Sequence, residues 1–406
     1  MSQSAAGRMS KAEFIALIAM MFSSIAFSID SMLPALPEIG AELSPDDLNQ
    51  AQFIITAFVV GMGLGTFFTG PLSDAFGRKP VILAGAGLYI ASCIVAWLSR
   101  SLEITLLARL VMGLGAAGPR VAALAVVRDL YSGREMAKMI SIAMVIFTLV
   151  PAIAPLMGAG IIALAGWRAI FLAFACFAAI IILWMGLRLP ESLAPERRMP
   201  FRTGKIMEAV RELWAHPTVR MSIFVQTLCY GILFVMILMV QPVYEQVYGR
   251  GDSFPFWFGA VAVIAGSSSI LNAAIVVRVG MRRIVTWTLA TQVVLSTAML
   301  LIGTSELPLD VQFGGFVIWQ TTIFFMAGLT MGNLNAMAME PVGHIAGTAA
   351  SLIGAVSTVM AAVIAAPVGL MFDGTVVPLA GGTLVMLAVA WLLMLHLARL
   401  EARLPA

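Results

Sequence analysis

Two side chains stand where a bilayer should reject them. Asp30 lies in an apolar run that begins near residue 12, and Arg109 lies in another that begins near residue 104. At the helical rise, Asp30 is about 27 Å along its run and Arg109 about 8 Å along its own, so helices of opposite direction bring the two to compatible depths. A carboxylate can take up and release a proton, whereas a guanidinium keeps its charge. Together they make an ion pair that protonation weakens, and a guanidinium left alone at that depth costs several kcal/mol. Two structural alternatives stay open. Asp30 can cap a helix broken at the interface by Pro34 and Pro37, and Arg109 can snorkel or pair helices. Arg120 follows eleven residues later, on the same helical face but about 16 Å deeper, beside Pro119. It suits an anionic substrate or a structural pair.

The elements that must position these groups are apolar throughout. The chain has 406 residues, 61% hydrophobic and only 11% charged, far from the roughly 25% charged residues of a soluble domain. Breaking the apolar runs at charge, Gly and Pro clusters gives twelve spans, each long enough to cross a bilayer as a helix. The first six lie near 12–33, 50–69, 80–98, 104–127, 137–162 and 167–187. The second six lie near 219–243, 255–277, 284–303, 312–335, 345–371 and 376–398. The longest polar stretch, 188–218, separates a first half, 1–187, from a second, 219–406, as a linker. With the N-terminus inside, 19 basic residues fall on the cytoplasmic side and only Arg100, Arg168 and Arg250 outside, which puts both termini in the cytoplasm. The run after Arg8 and Lys11 is too long for a secretory signal and is expected to be retained. Cys93, Cys176 and Cys229 sit singly inside spans, without metal-ligand spacing. The scattered basic residues and net charge of +3 give no support for nucleic-acid binding. Without catalytic carboxylate pairs, a His-rich set or a nucleotide loop, an enzyme is not expected.

Between the second and third spans runs Gly70-Pro71-Leu72-Ser73-Asp74-Ala75-Phe76-Gly77-Arg78-Lys79-Pro80. Gly70 and Gly77 permit a tight turn, and Asp74 can pair with Arg78 or receive a helix N-terminus. This stretch resembles the loop signature of the major facilitator superfamily. That resemblance implies an all-α membrane protein of twelve helices in two six-helix pseudo-symmetric bundles, with the substrate site between them. Val279-Gly280-Met281-Arg282-Arg283 echoes Phe76-Gly77-Arg78-Lys79 in the second half but lacks an acid in the place of Asp74. Ala108-Arg109-Leu110-Val111-Met112-Gly113-Leu114-Gly115 resembles a signature of proton-coupled facilitators, with Met112 in place of the usual Gln. By that resemblance Arg109, with Asp30, is implicated in proton coupling. Pro151, Pro155 and Gly158 partly match the antiporter hinge motif of exporters. Residues 29–37, 127–131, 166–168 and 337–351 resemble the bicyclomycin/chloramphenicol-resistance (Bcr/CflA) branch.

The remaining polar groups mark candidate ligand contacts. Phe53, Arg120, Gln226, Tyr230, Phe234, Gln241 and Asn335 are candidates to line a cavity, in a chain whose 27 Met and 23 Phe also include Phe58 and Met326. Glu340 and His344 are expected to cap or gate the start of the eleventh helix. The resemblance implies a multi-pass protein of the bacterial inner membrane that exports small, moderately hydrophobic compounds against protons. It would need no cofactor beyond the proton gradient, and its partners would be substrate, protons and lipid, with a monomer as the working unit. A transporter dedicated to an organic anion is the alternative.

Overall fold

The computed structural model describes residues 9–199 and 203–401. Fourteen α-helices account for most of these residues, and no strand occurs among them. They are α1 (Lys11–Asp30), α2 (Leu36–Leu43), α3 (Phe53–Phe76), α4 (Arg78–Leu98), α5 (Leu102–Leu130), α6 (Gly133–Ala165) and α7 (Ala169–Arg188). After the polar stretch come α8 (Thr203–Ala215), α9 (Pro217–Pro242), α10 (Phe254–Val279), α11 (Met281–Gly303), α12 (Leu309–Met339), α13 (Ala346–Leu370) and α14 (Val377–Glu401). Among the described residues, twelve segments are long and apolar enough to span a membrane, the first being α1 continued through α2. Backbone groups in hydrocarbon must be satisfied within the segment, which is why such runs become helices. Leu107, Leu164, Val277 and Ile318 point outward on them, well exposed, where lipid tails replace water.

The chain divides into two units, Met1–Gly204 and Lys205–Ala406, and the division falls inside the polar stretch 188–218. Each unit repeats one pairing scheme. In the first, α1 packs on α6, α3 and α4 both pack on α5, and α4 packs on α7. In the second, α9 packs on α13, α10 and α11 on α12, and α11 on α14. Small residues allow the closest approach, between α3 and α5. A methyl at Gly61 would collide with the carbonyl oxygen of Leu110, and one at Gly113 with that of Phe58. The core of unit 1 joins Leu17, Ile18 and Met21 of α1 to Val126 and Val127 of α5 and Met185 of α7.

Candidate functional site

α1 ends early, and its end organises the site. Pro34 and Pro37 cannot donate backbone hydrogen bonds, so the chain past Asp30 tightens into a short 3₁₀ turn, Leu33–Ala35, before α2. Met32 N–H, the ordinary partner of the Ser28 carbonyl, donates to Ile29 O instead at 3.2 Å. Arg109 of α5 takes the released acceptor. Its Nη2 donates to Ser28 O at 3.1 Å and its Nε to Ile54 O, at the start of α3, at 3.0 Å. The Phe58 ring lies 4.5 Å from the guanidinium carbon and that of Phe174 5.9 Å. Arg109 is 0% exposed, and its Nη1 finds no acceptor among the described residues. The negative end of the α1 dipole thus faces a buried cation. Ser28 Oγ donates to Ser24 O at 2.7 Å and shares a 2.5 Å hydrogen bond with Tyr89 OH of α4.

Asp30 is buried, at 6% exposure, two residues beyond the carbonyl that Arg109 holds. The direct ion pair expected from sequence does not form, and among the described residues Asp30 has no salt-bridge partner. The reason is local. The Ser28 carbonyl freed at the end of α1 and the Ile54 carbonyl in the first turn of α3 already take two of the guanidinium's donor groups. Arg120, on the same helix beyond Pro119, lies 3.6 Å by Nη1 from Met62 Sδ and has no carboxylate partner among the described residues.

The turn after α3 is assembled around Gly77, whose φ of 103° suits glycine alone. Arg78 Nη1 bonds Asp74 Oδ1 at 2.5 Å and Ser73 Oγ at 2.8 Å, and its Nε bonds Asp129 Oδ2 at 3.1 Å. The Asp74–Arg78 pair follows the sequence expectation, and Asp129 is an addition from the end of α5. Glu191, just past α7, accepts from the backbone N–H of Arg78 at 2.9 Å and of Lys79 at 3.1 Å. Glu191, not Asp74, therefore receives the start of α4. Lys79 Nζ donates to Gly186 O at 2.8 Å. Gly70 lies inside the last turns of α3.

Pro151 and Pro155 sit within α6, which continues through both. Gly158 touches the backbone of Ser31, where a Cβ would collide with the Ser31 carbonyl, so the small residue sits where α6 meets the broken end of α1. Phe53 opens α3, half-buried, while Phe58 one turn later is the ring that carries Arg109.

In unit 2, Gln226, Tyr230, Phe234 and Gln241 follow a helical spacing along α9. Tyr230 and Phe234 stack at 6.1 Å. The side-chain Oε1 of buried Gln226 has no donor among the described residues, and Gln241 Nε2 donates to Glu245 Oε2 at 2.6 Å. Asn335 is half-buried on α12, whereas its neighbour Asn333 bonds Asn272 of α10 at 2.8 Å. Glu340 and His344 depart from expectation. They lie in a 3₁₀ segment, Glu340–Ile345, and α13 starts at Ala346 with no side-chain cap. His344 Nε2 meets Glu212 Oε1 of α8 at 2.7 Å, so it ties the connecting helix to the loop after α12. Glu340 faces a cavity at the start of α11.

Ser28, Tyr89, Ile54 and Glu191 were beyond sequence reasoning. Three act through backbone groups or a single hydroxyl, which carry no pattern. Only the acid after Pro190 offered a signal.

The Major Facilitator Superfamily profile matches residues 16–366. A bicyclomycin resistance protein homolog of Haemophilus influenzae is 32% identical over 87% of this chain and 88% of its own. Multidrug resistance protein MdtL of Escherichia fergusonii is 27% identical over 80% of each. Among solved structures, a D-xylose-proton symporter shares the fold with TM-score 0.73 at 15% identity, covering 94% of this chain and 97% of the other.

Proposed function

Because the chain belongs to the major facilitator superfamily, and is therefore a multi-pass membrane transporter and not an enzyme, we propose that it is a proton-coupled exporter of small, moderately hydrophobic compounds, antibiotics among them. It works by alternating access in a bacterial inner membrane, as a monomer, with both termini in the cytoplasm and the proton gradient as its only energy source. The observation that carries this reading is the end of α1. Among the described residues, a buried cation with one open donor holds the carbonyl of Ser28, and a buried acid without a cation partner follows two residues later. Protonation and deprotonation of Asp30 change its attraction for that open Nη1, and substrate binds one of the two states preferentially. Relatives named for bicyclomycin and multidrug resistance support the substrate class.

The test is dye efflux from cells lacking their own pumps, with and without a protonophore. Protonophore-sensitive efflux by the parent protein and none by Asp30→Asn, at equal membrane abundance, is expected. Full activity in Asp30→Asn refutes the assignment.

A second reading rests on Arg120, a cation with no carboxylate partner among the described residues. It favours transport of an organic anion. Uptake of labelled organic acids into everted vesicles, compared with cationic dyes, separates the two.

A further inference from the structure

The chain enters unit 2 through α8, a helix of 13 residues, too short to cross a bilayer. Pro217 opens α9 and disfavours helical backbone at the residue before it, and His216 is indeed extended, at φ −84° and ψ 117°. Two separate helices therefore meet at one residue. Arg220 fastens the joint by donating from Nη1 to Trp214 O at 3.3 Å. The spanning segment begins at Pro217, three positions and at most about 11 Å of chain past Trp214. That holds the last turn of α8 at the membrane edge. Around α8 the described side chains fall into sectors. Ala209 and Leu213, at i and i+4, are buried. Glu208 and Glu212 share a second sector, where Glu212 Oε1 meets His344 Nε2 at 2.7 Å. Met207, Arg211 and Trp214 share the third, Met207 at 53% exposure, Trp214 at 46% and Arg211 exposed between them. The Trp214 ring packs edge-on against Phe224 of α9, with centroids 5.8 Å apart, and Phe224 is itself 40% exposed. The exposed apolar sector of α8 is thus continuous with the exposed surface of a membrane-spanning helix.

We propose that this sector of α8 docks on the lipid surface, so that the helix lies along the membrane as an interfacial anchor for the chain entering unit 2. Met207 and Trp214 enter the boundary between headgroups and acyl chains, the level at which Trp is enriched in membrane proteins. Arg211 runs its apolar stem past them and lifts its charge to the headgroup phosphates. Glu208 and Glu212, about 120° further round the helix, then face water, away from those phosphates, and Glu212 keeps its bond to His344. Charge favours this occupant, since the cation shares the apolar sector and the acids are turned out of it. Size disfavours a protein partner: Met207, Trp214 and Phe224 at about half exposure offer a few hundred Å², against roughly 800 Å² per partner in a stable interface. The docking requires α9 to span the membrane and involves neither substrate nor proton coupling. It therefore stands or falls separately from the transport reading.

Spin labels at M207C and E208C test this in the full-length protein with Cys93, Cys176 and Cys229 replaced, reconstituted in vesicles of phosphatidylethanolamine and phosphatidylglycerol. Oxygen concentrates among acyl chains, whereas a nickel chelate stays in water. The label at 207 should collide mainly with oxygen, and the label at 208 mainly with nickel. Trp214 is read in protein that keeps its native cysteines, as the difference in emission between the parent and W214F. Lipid brominated near the headgroup end of its acyl chains should quench that difference, and aqueous iodide should leave it unchanged. Dominant nickel collisions at 207, or iodide quenching of Trp214 without quenching by brominated lipid, would place the sector in water. Shielding of the 207 label from both reagents would place it under protein, a second copy of this chain included. Any of these three results overturns the docking.

Discussion

A guanidinium persists inside a membrane only where acceptors and a polarisable surface replace water, and Arg109 has both. Two backbone carbonyls take its Nε and Nη2, and the Phe58 face takes its charge. Lysine offers a point charge and cannot bridge Ile54 O and Ser28 O together. Arg109→Lys should therefore insert normally yet lose at least about tenfold in efflux rate, about 1.4 kcal/mol of coupling; near-parental efflux at equal abundance would deny the clamp. Tyr89→Phe removes only the hydroxyl that shares a hydrogen bond with Ser28 Oγ. It should cost about 1 kcal/mol of stability, read as a lower unfolding temperature by intrinsic fluorescence, with proton-driven efflux retained. The acid and the cation were legible in sequence because each breaks a long apolar run. Their relation was not, since the acceptors of Arg109 are main-chain carbonyls that any residue supplies.

At the scale of elements, helix ends do more than helix bodies. The prolines after Asp30 stop α1 and expose the carbonyl that Arg109 uses, and Gly158 lets α6 approach that same break. Gly158→Val would drive a branched side chain into the Ser31 backbone, and overpacking of that kind costs about 1–3 kcal/mol. The expected result is reduced thermal stability with impaired efflux; unchanged values for both would show that α6 can yield. At the other end of the unit, Glu191 accepts two amides at the start of α4. Glu191→Gln should lower stability by about 1 kcal/mol, the worth of a lost charged cap. The motif around Gly77 was readable as a turn, and its Asp74–Arg78 pair was readable too. Glu191 and Asp129 arrive from 112 and 51 residues away, a separation over which spacing says nothing.

For the molecule as a whole, the charge asymmetry makes a topological claim that labelling can check. With the native cysteines replaced, Asp46→Cys should react with a membrane-impermeant maleimide in intact cells, and Ser132→Cys only after permeabilisation; the reverse pattern would invert the proposed orientation. Composition and the spacing of apolar runs determined the class, the twelve spans and the polar stretch that separates the halves, because hydrocarbon admits only helices whose backbone bonds are internal. They also marked Asp30, Arg109 and Arg120 as charges needing an explanation. The tertiary structure alone decided what each charge meets. It gave Arg109 two carbonyls and a ring in place of the expected carboxylate, placed His344 on Glu212, and set Glu340 beside an open cavity. Partners of this kind depend on which helix ends come together, and packing across the fold fixes that.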